Sequence, residues 1–187
     1  MKQIVILFSG EGTNLLNLID TLHGRACHVA AAITNNPEAG GIAKARERGV
    51  HVDVIDHRQF EGREAFDAAL VGAINRYTPD LVVMAGFMRI LTEVFTENVR
   101  AINLHPSLLP LFKGARAIER SFESDEPRGG VSVHWVTGEL DGGALIMQES
   151  FPKADDETLE SFTEKVHAIE YEILPRAVCA ILNPLEP

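Results

Sequence analysis

Two hydrophobic patterns alternate along the amino-terminal half of the chain. Short apolar runs rich in β-branched residues occur at Gln3–Phe8, His28–Thr34, Val50–Ile55, Asp80–Gly86 and Ala101–His105. Between them, apolar residues recur at helical spacing over Thr13–Leu22, Ile42–Arg48, Arg63–Tyr77 and Thr92–Val99. Strands apolar on both faces and separated by helices call for βαβ units, hence an α/β fold with a doubly wound, mostly parallel sheet. After Asp125 the pattern changes. Gly130–Val136 alternates with period two, Gly138–Gly143 is dense in turn formers, and Ala144–Phe151 is apolar again. Two further strands joined by a loop are expected there, as an antiparallel edge. Thr158–Leu182 has the pattern of a long amphipathic helix, capped by Asp155 or Asp156 and interrupted near Pro175.

Composition narrows the class. At 187 residues the chain suits one domain, by a rule of thumb of ~100–200 residues per domain. It has no repeat or low-complexity tract, and disorder is expected only in the Asn183–Pro187 tail. Met1–Phe8 is too short for a leader or a membrane span, so a soluble cytoplasmic protein without membrane contact is expected. Cys27 and Cys179 lack ligand spacing, and with no H-E-x-x-H or C-x-x-C pattern no metal is called for. A net charge of −10 without a basic run argues against nucleic acid. Any anionic ligand must then be held by local groups against an unfavourable global field.

Three constellations carry candidate chemistry. In Ser9-Gly-Glu-Gly-Thr-Asn14, between the first strand and the first helix, glycines permit a tight turn and free N–H groups at a helix start suit a phosphate. The alternative is a tight turn with Thr13 as cap. In Ala101-Ile-Asn-Leu-His105, Asn103 and His105 lie two apart, so on a strand they share a face. Pro106 ends that strand, placing the pair at its carboxyl end, where open α/β sheets bind ligands. An imidazole can move a proton near neutrality and an amide N–H can meet a developing oxyanion. Alternatively both are structural, the His buried and hydrogen-bonded and the Asn tying down the turn. The third is Asp141, in Gly138-Glu-Leu-Asp-Gly-Gly143, which is either a turn former or, if its loop folds over the edge, a partner that raises the pKa of His105. His134 is assigned a structural place on its strand, and His23, His28, His51 and His57 are placed on solvent-facing turns.

Together "ILFSGEGTNL", "VVMAGFMRIL", "INLHPSLLP" and "GVSVHWVTGELDGG", in this order, resemble the folate-dependent phosphoribosylglycinamide formyltransferases over nearly the whole chain. The resemblance implies a Rossmann-like formyltransferase fold, with 1–100 as a nucleotide- and phosphate-binding half and 101–187 as a catalytic and folate-binding half. It also implies transfer of the formyl group of 10-formyltetrahydrofolate, a co-substrate, to the amine of 5-phosphoribosylglycinamide in purine synthesis. It makes Asn103, His105 and Asp141 the catalytic trio. Gly12, Thr13 and Asn14 become the phosphate loop and Glu170 the acid at the glycinamide end. Arg63, Met88, Arg89, Ile90 and Leu91 match positions that hold the folate, together with Asn103 and the stretch Glu139, Leu140 and Asp141. The partners implied are these small molecules, with the protein a monomer or weak homodimer. One departure stands out: Arg116 occupies a place where many relatives carry a histidine. Rival readings are a methionyl-tRNA formyltransferase, a formyltetrahydrofolate deformylase-like hydrolase and a non-catalytic nucleotide-binding module.

Overall fold

The computed structural model describes residues 1–183. In chain order they form β1 (Gln3–Phe8), α1 (Thr13–Leu22), β2 (His28–Thr34), α2 (Gly41–Glu47), β3 (Val52–Val54), α3 (Arg63–Asn75), β4 (Leu81–Met84), α4 (Glu93–Thr96), β5 (Ala101–His105), α5 (Ala117–Glu123), β6 (Arg128–Trp135), β7 (Leu145–Pro152) and α6 (Leu159–Leu182), with a 3-10 turn at His57–Gln59. One seven-stranded sheet runs in the order β3-β2-β1-β4-β5-β6-β7. The first five strands pair in parallel, and β5–β6 and β6–β7 are antiparallel, as the change of pattern after Asp125 predicts.

Period-two alternation on β1 divides the core between two faces. Ile4, Ile6 and Phe8 pack with Leu15 and Leu18 of α1 and with Phe162 and Leu174 of α6, while Val5 and Leu7 pack with Phe66 and Leu70 of α3 and Phe95 of α4. Helices therefore cover both faces. The order reverses direction at β1, which pairs with both β2 and β4, so a crevice opens above the carboxyl ends of β1 and β4.

Several boundaries differ from the sequence expectations. β3 and β4 are shorter than their apolar runs, α4 keeps only Glu93–Thr96, and α5 carries no pattern strong enough to predict. The α6 cap is Thr158, whose hydroxyl accepts from the Ser161 N–H at 3.1 Å, rather than Asp155 or Asp156. His28 and His51 are exposed as expected, whereas His23 and His57 are half-buried, each with Nδ1 about a hydrogen-bond length from backbone, 3.0 Å from Val29 N and from the Asn35 carbonyl respectively. The expected disorder of the tail concerns, beyond Asn183, residues outside those described.

The expected interruption at Pro175 does not occur, and a tertiary contact accounts for it. A proline inside a helix leaves the carbonyl four residues earlier, here that of Tyr171, without its N–H. The Asn17 side chain on α1 supplies the missing donor, its Nδ2 lying 2.8 Å from the Tyr171 carbonyl oxygen. α6 runs on through Pro175, which is itself buried.

Asn17→Ala is therefore expected to destabilise the fold by about 1 kcal/mol, since it orphans an acceptor. Pro175→Ala restores an N–H for the same carbonyl, so the loss from Asn17→Ala is expected to shrink in the Pro175→Ala background. Urea denaturation of the four proteins of this double-mutant cycle measures the coupling, and equal losses in both backgrounds would dissociate Asn17 from the proline.

Candidate active site

The turn from β1 into α1 is built for close backbone approach. Gly12 has φ 74°, and a Cβ there would stand 3.0 Å from the Cα of Gly41, so both conformation and space demand glycine. Gly12, not Thr13, is the N-cap of α1, and no side chain caps the helix. Among the described residues no group accepts from the N–H groups of Gly10 through Asn14, although Leu16 N already bonds the Gly12 carbonyl at 2.8 Å. Those donors, with the positive end of the helix dipole, form a nest for an anion. Asn14 Nδ2 lies 3.1 Å from Glu170 Oε2 on α6, so the glycine-rich loop and the last helix meet at the same end of the sheet. Glu170 is buried, and its Oε2 also pairs with Nδ1 of His167 at 2.9 Å. A cavity of about 510 Å³ adjoins the loop, lined by Ser9, Gly10, Asn36, Arg58, Gly86 and Met88 among others.

The second group lies at the carboxyl end of β5, where Asn103 and His105 share a face. The β5–β6 register sets Asn103 opposite His134 and His105 opposite Ser132. The loop before β7 then brings Asp141 in from above. Its Oδ2 accepts from the Gly114 N–H at 2.8 Å and lies 3.4 Å from His105 Nδ1. Its Oδ1 lies 3.4 Å from both Asn103 Nδ2 and His134 Nε2, and Asn103 Nδ2 is 3.2 Å from that same Nε2. The predicted trio thus converges, with His134 as an unpredicted fourth member. His134, read from sequence as structural, is buried and faces both Asn103 and Asp141. Its alternation with Ser132 held the signal, because a strand pairing with β5 must turn that face towards Asn103 and His105.

Arg120 of α5 is the other residue the sequence reading missed. It donates to the carbonyls of Phe112 at 3.0 Å, Lys113 at 2.5 Å and Ala115 at 3.0 Å, which fixes the loop that supplies the Gly114 N–H. The Phe112 carbonyl also lies 2.9 Å from His105 Nε2.

These contacts set the charges. Burial pushes the His105 imidazole below its ordinary pKa; the Phe112 carbonyl and the Asp141 charge pull upwards without making up for it. The expectation that Asp141 acts to raise the pKa of His105 holds in direction, although desolvation outweighs it. Burial pushes the Asp141 carboxyl up, yet its contacts with His134, the Gly114 N–H and His105 outweigh this and hold it below the usual range. Near neutral pH the resting site holds a carboxylate beside a largely neutral imidazole. That ring has an acceptor at each nitrogen and can donate to only one. Protonation satisfies both.

The remaining predicted positions surround this edge. Met88, Ile90 and Leu140 are large apolar side chains exposed to solvent, and Leu91 is half-buried. Arg89 packs over the Phe66 ring, 5.5 Å from its centroid, with Nε buried and unpartnered. Arg63 opens α3 and is exposed, three residues before Phe66, and Glu139 pairs with Lys113 at 2.7 Å. Arg116 is exposed in a left-handed conformation just before α5, and Arg120, not Arg116, grips the loop.

Comparison with known proteins identifies relatives over nearly the whole chain. The family model described as formyl transferase matches residues 2–178. The phosphoribosylglycinamide formyltransferase of Escherichia coli (strain K12) is 37% identical over 179 residues, covering 94% of this chain and 84% of that protein. The trifunctional purine biosynthetic protein adenosine-3 of Bos taurus is 36% identical over 94% of this chain, which spans only 18% of that longer protein. The crystal structure of phosphoribosylglycinamide formyltransferase from Campylobacter jejuni subsp. jejuni NCTC 11168 superposes with a TM-score of 0.95 at 47% identity, covering 97% of this chain and 98% of that one.

Replacing Asp141 by Asn removes a charge that favours the imidazolium, so His105, already below its ordinary pKa, is expected to titrate lower still in the variant. NMR titration of the His105 ring in both proteins measures the difference. An unchanged or higher value in Asp141→Asn would show that the contact of 3.4 Å carries no electrostatic coupling.

Proposed function

The chain belongs to the formyl transferase family, and we propose that it transfers the formyl group of 10-formyltetrahydrofolate to the amine of 5-phosphoribosylglycinamide, a step of purine (IMP) synthesis. The observation that carries this reading is the juxtaposition of two sites at one edge of the sheet. An anion nest joined to Glu170 follows the carboxyl end of β1, and the cluster of Asn103, His105 and Asp141 gathers at the carboxyl end of β5, with only the parallel β4 between the two strands. The nest suits the ribonucleotide phosphate, with Gly12, Thr13 and Asn14 around it and Glu170 towards the glycinamide end. The exposed apolar stretch Met88, Ile90 and Leu140, with Arg63, Arg89, Leu91 and Glu139, suits the folate.

In the proposed reaction the glycinamide amine attacks the formyl carbon, and the carbonyl electrons move to oxygen to give a tetrahedral oxyanion. Asn103 turns an N–H towards that oxygen. Its present bonds, at 3.2 and 3.4 Å, are long, so redirecting them costs little. His105 takes the proton that the amine sheds, directly or through water, and the imidazolium so formed is held by Asp141 and the Phe112 carbonyl. When the bond from carbon to N10 breaks, the same proton goes to N10, leaving formylated nucleotide and tetrahydrofolate. No covalent enzyme adduct is needed. The proposed partners are these two small molecules, and the proposed setting is the cytoplasm, as a monomer or weak homodimer.

Mixing the protein with both substrates and following folate absorbance and formate release is expected to show formyl transfer without net hydrolysis. Formate release without a formylated nucleotide would make the protein a deformylase, and binding without turnover a nucleotide-binding module. Asn103→Ala, His105→Ala and Asp141→Ala are each expected to lower kcat by roughly two to three powers of ten, and in combination by much less than the product. Near-normal turnover in a folded single variant would remove that residue from the mechanism.

The anion nest makes a separate prediction. A phosphate-free analogue of the nucleotide is expected to bind at least about tenfold more weakly than the nucleotide, a difference of roughly 1.4 kcal/mol. Formylfolate binding should be unchanged in Gly12→Val, whose side chain the positive φ and the nearby Gly41 exclude, while nucleotide binding falls. Calorimetry with the separate ligands tests this, and equal affinity for phosphorylated and dephosphorylated nucleotide would reduce the loop to a tight turn.

A further inference from the structure

We infer that His167 is a positioning residue for the nucleotide: it engages Glu170 Oε2 so that Oε1 is left to accept from a hydroxyl or amine of the sugar-phosphate substrate. The inference rests on the proposed function and deepens it. Glu170 is nearly covered, its side chain 8% exposed, whereas that of His167 is 45% exposed. Both donors that reach the carboxylate, Asn14 Nδ2 at 3.1 Å and His167 Nδ1 at 2.9 Å, converge on Oε2. Oε1 has no partner among the described residues, and it is not sealed from solvent. One oxygen is fixed and the other is offered.

The charge matters as much as the geometry. A buried carboxylate linked through Asn14 to the phosphate nest opposes a bound dianion unless a cation offsets it. His167 is the group in place to do so, and its pair with Glu170 raises its pKa while partial burial opposes the rise. The polar α1 side chains bonded to this part of α6 are Asn14 and Asn17, both neutral. Other charges along α6 are engaged elsewhere, Lys165 with Glu157 and Arg176 with Glu149 of β7, while Arg120 of α5 holds loop carbonyls. Glu119 and Glu123 of α5, and Glu160, Glu164 and Glu172 of α6, make no hydrogen bond or ion pair with the ring, whose carboxylate partner is Glu170. Tyr171 stacks beside the imidazole with centroids 6.5 Å apart.

The sign follows from the raised pKa. His167 is charged below it and loses its charge as pH rises through it, so the nucleotide KM should climb several-fold over that interval while the formylfolate KM does not follow. Steady-state kinetics of the wild type, His167→Asn and His167→Ala across about pH 6 to 9, a range bracketing a raised histidine pKa, test the inference. His167→Asn keeps a donor near the Nδ1 position without the charge, and should give a higher nucleotide KM with no such pH dependence. His167→Ala should bind nucleotide more weakly still, with formylfolate KM nearly unchanged. A wild-type pH profile in His167→Asn, or wild-type nucleotide KM in His167→Ala, overturns the inference and leaves the proposed function standing. A wild type that forms no formylated nucleotide overturns both. The pair itself is tested without activity, by NMR: Glu170→Gln should lower the His167 pKa, and an unmoved pKa overturns the inference.

Discussion

The carboxylate of Asp141 is buried between two imidazoles and an amide, and one backbone N–H, that of Gly114, meets it at full hydrogen-bond distance. A buried charge with so little direct pairing is tolerable only if the surroundings are fixed, because a small displacement would leave it uncompensated. Much of the carboxyl edge can be understood as that fixing. Arg120 pins the carbonyls on either side of the Gly114 peptide, β5 and β6 bring the rings and the amide from below, and Asp141 itself takes a left-handed backbone, φ 49°, that short polar side chains tolerate better than most. The contacts at 3.4 Å are weak as they stand, which suits a site whose hydrogen bonds must change partners during a reaction.

Register is what assembles this cluster. In the antiparallel pair, side chains directly opposite one another lie on the same face, so Asn103 against His134 and His105 against Ser132 make one polar patch from two strands. A slip of one residue would send His134 to the opposite face and bring Val133 or Trp135 against Asn103. The apolar neighbours prevent it: Val131 and Val133 are fully buried in the core that holds Phe151 and Phe162. The same packing that stabilises the edge of the sheet therefore specifies the geometry of the candidate site, and the change from parallel to antiparallel pairing falls at the strand that carries Asn103 and His105.

How far the sequence revealed this depends on where the information lies. β1, α1, β2 and β5 match their predicted limits because period and punctuation are local there: a two-sided apolar run, a glycine before the helix, a proline after His105. The trio was legible for the same reason together with the family resemblance. What escaped is information carried between segments. Pro175 signals a break that Asn17, distant in sequence, repairs. α5 starts from a left-handed Arg116 with no capping side chain, so no local start signal precedes it. His134 becomes part of the site only through pairing with β5, and His105 is depressed in pKa by a burial that no single stretch encodes.

The net charge of −10 also takes on a definite meaning at the glycine-rich loop. A basic patch would be the simplest way to hold a phosphate, and this chain has none in its sequence. Instead the carboxylates nearest the nest each have a partner: Glu11 of the loop is met by Lys44 at 2.7 Å, and Glu170 by His167 and Asn14. With those two carboxylates partnered, the free backbone N–H groups of Gly10 through Asn14 and the dipole of α1 provide a local positive field at the loop. Such donors are fixed by the fold, need no side-chain ordering on binding, and are aimed at a single point. The distant surplus of negative charge is weakened by solvent and salt over the Debye length of about 8–10 Å, whereas the nest acts at contact. Local neutralisation and oriented peptides thus make an anion site compatible with an acidic protein.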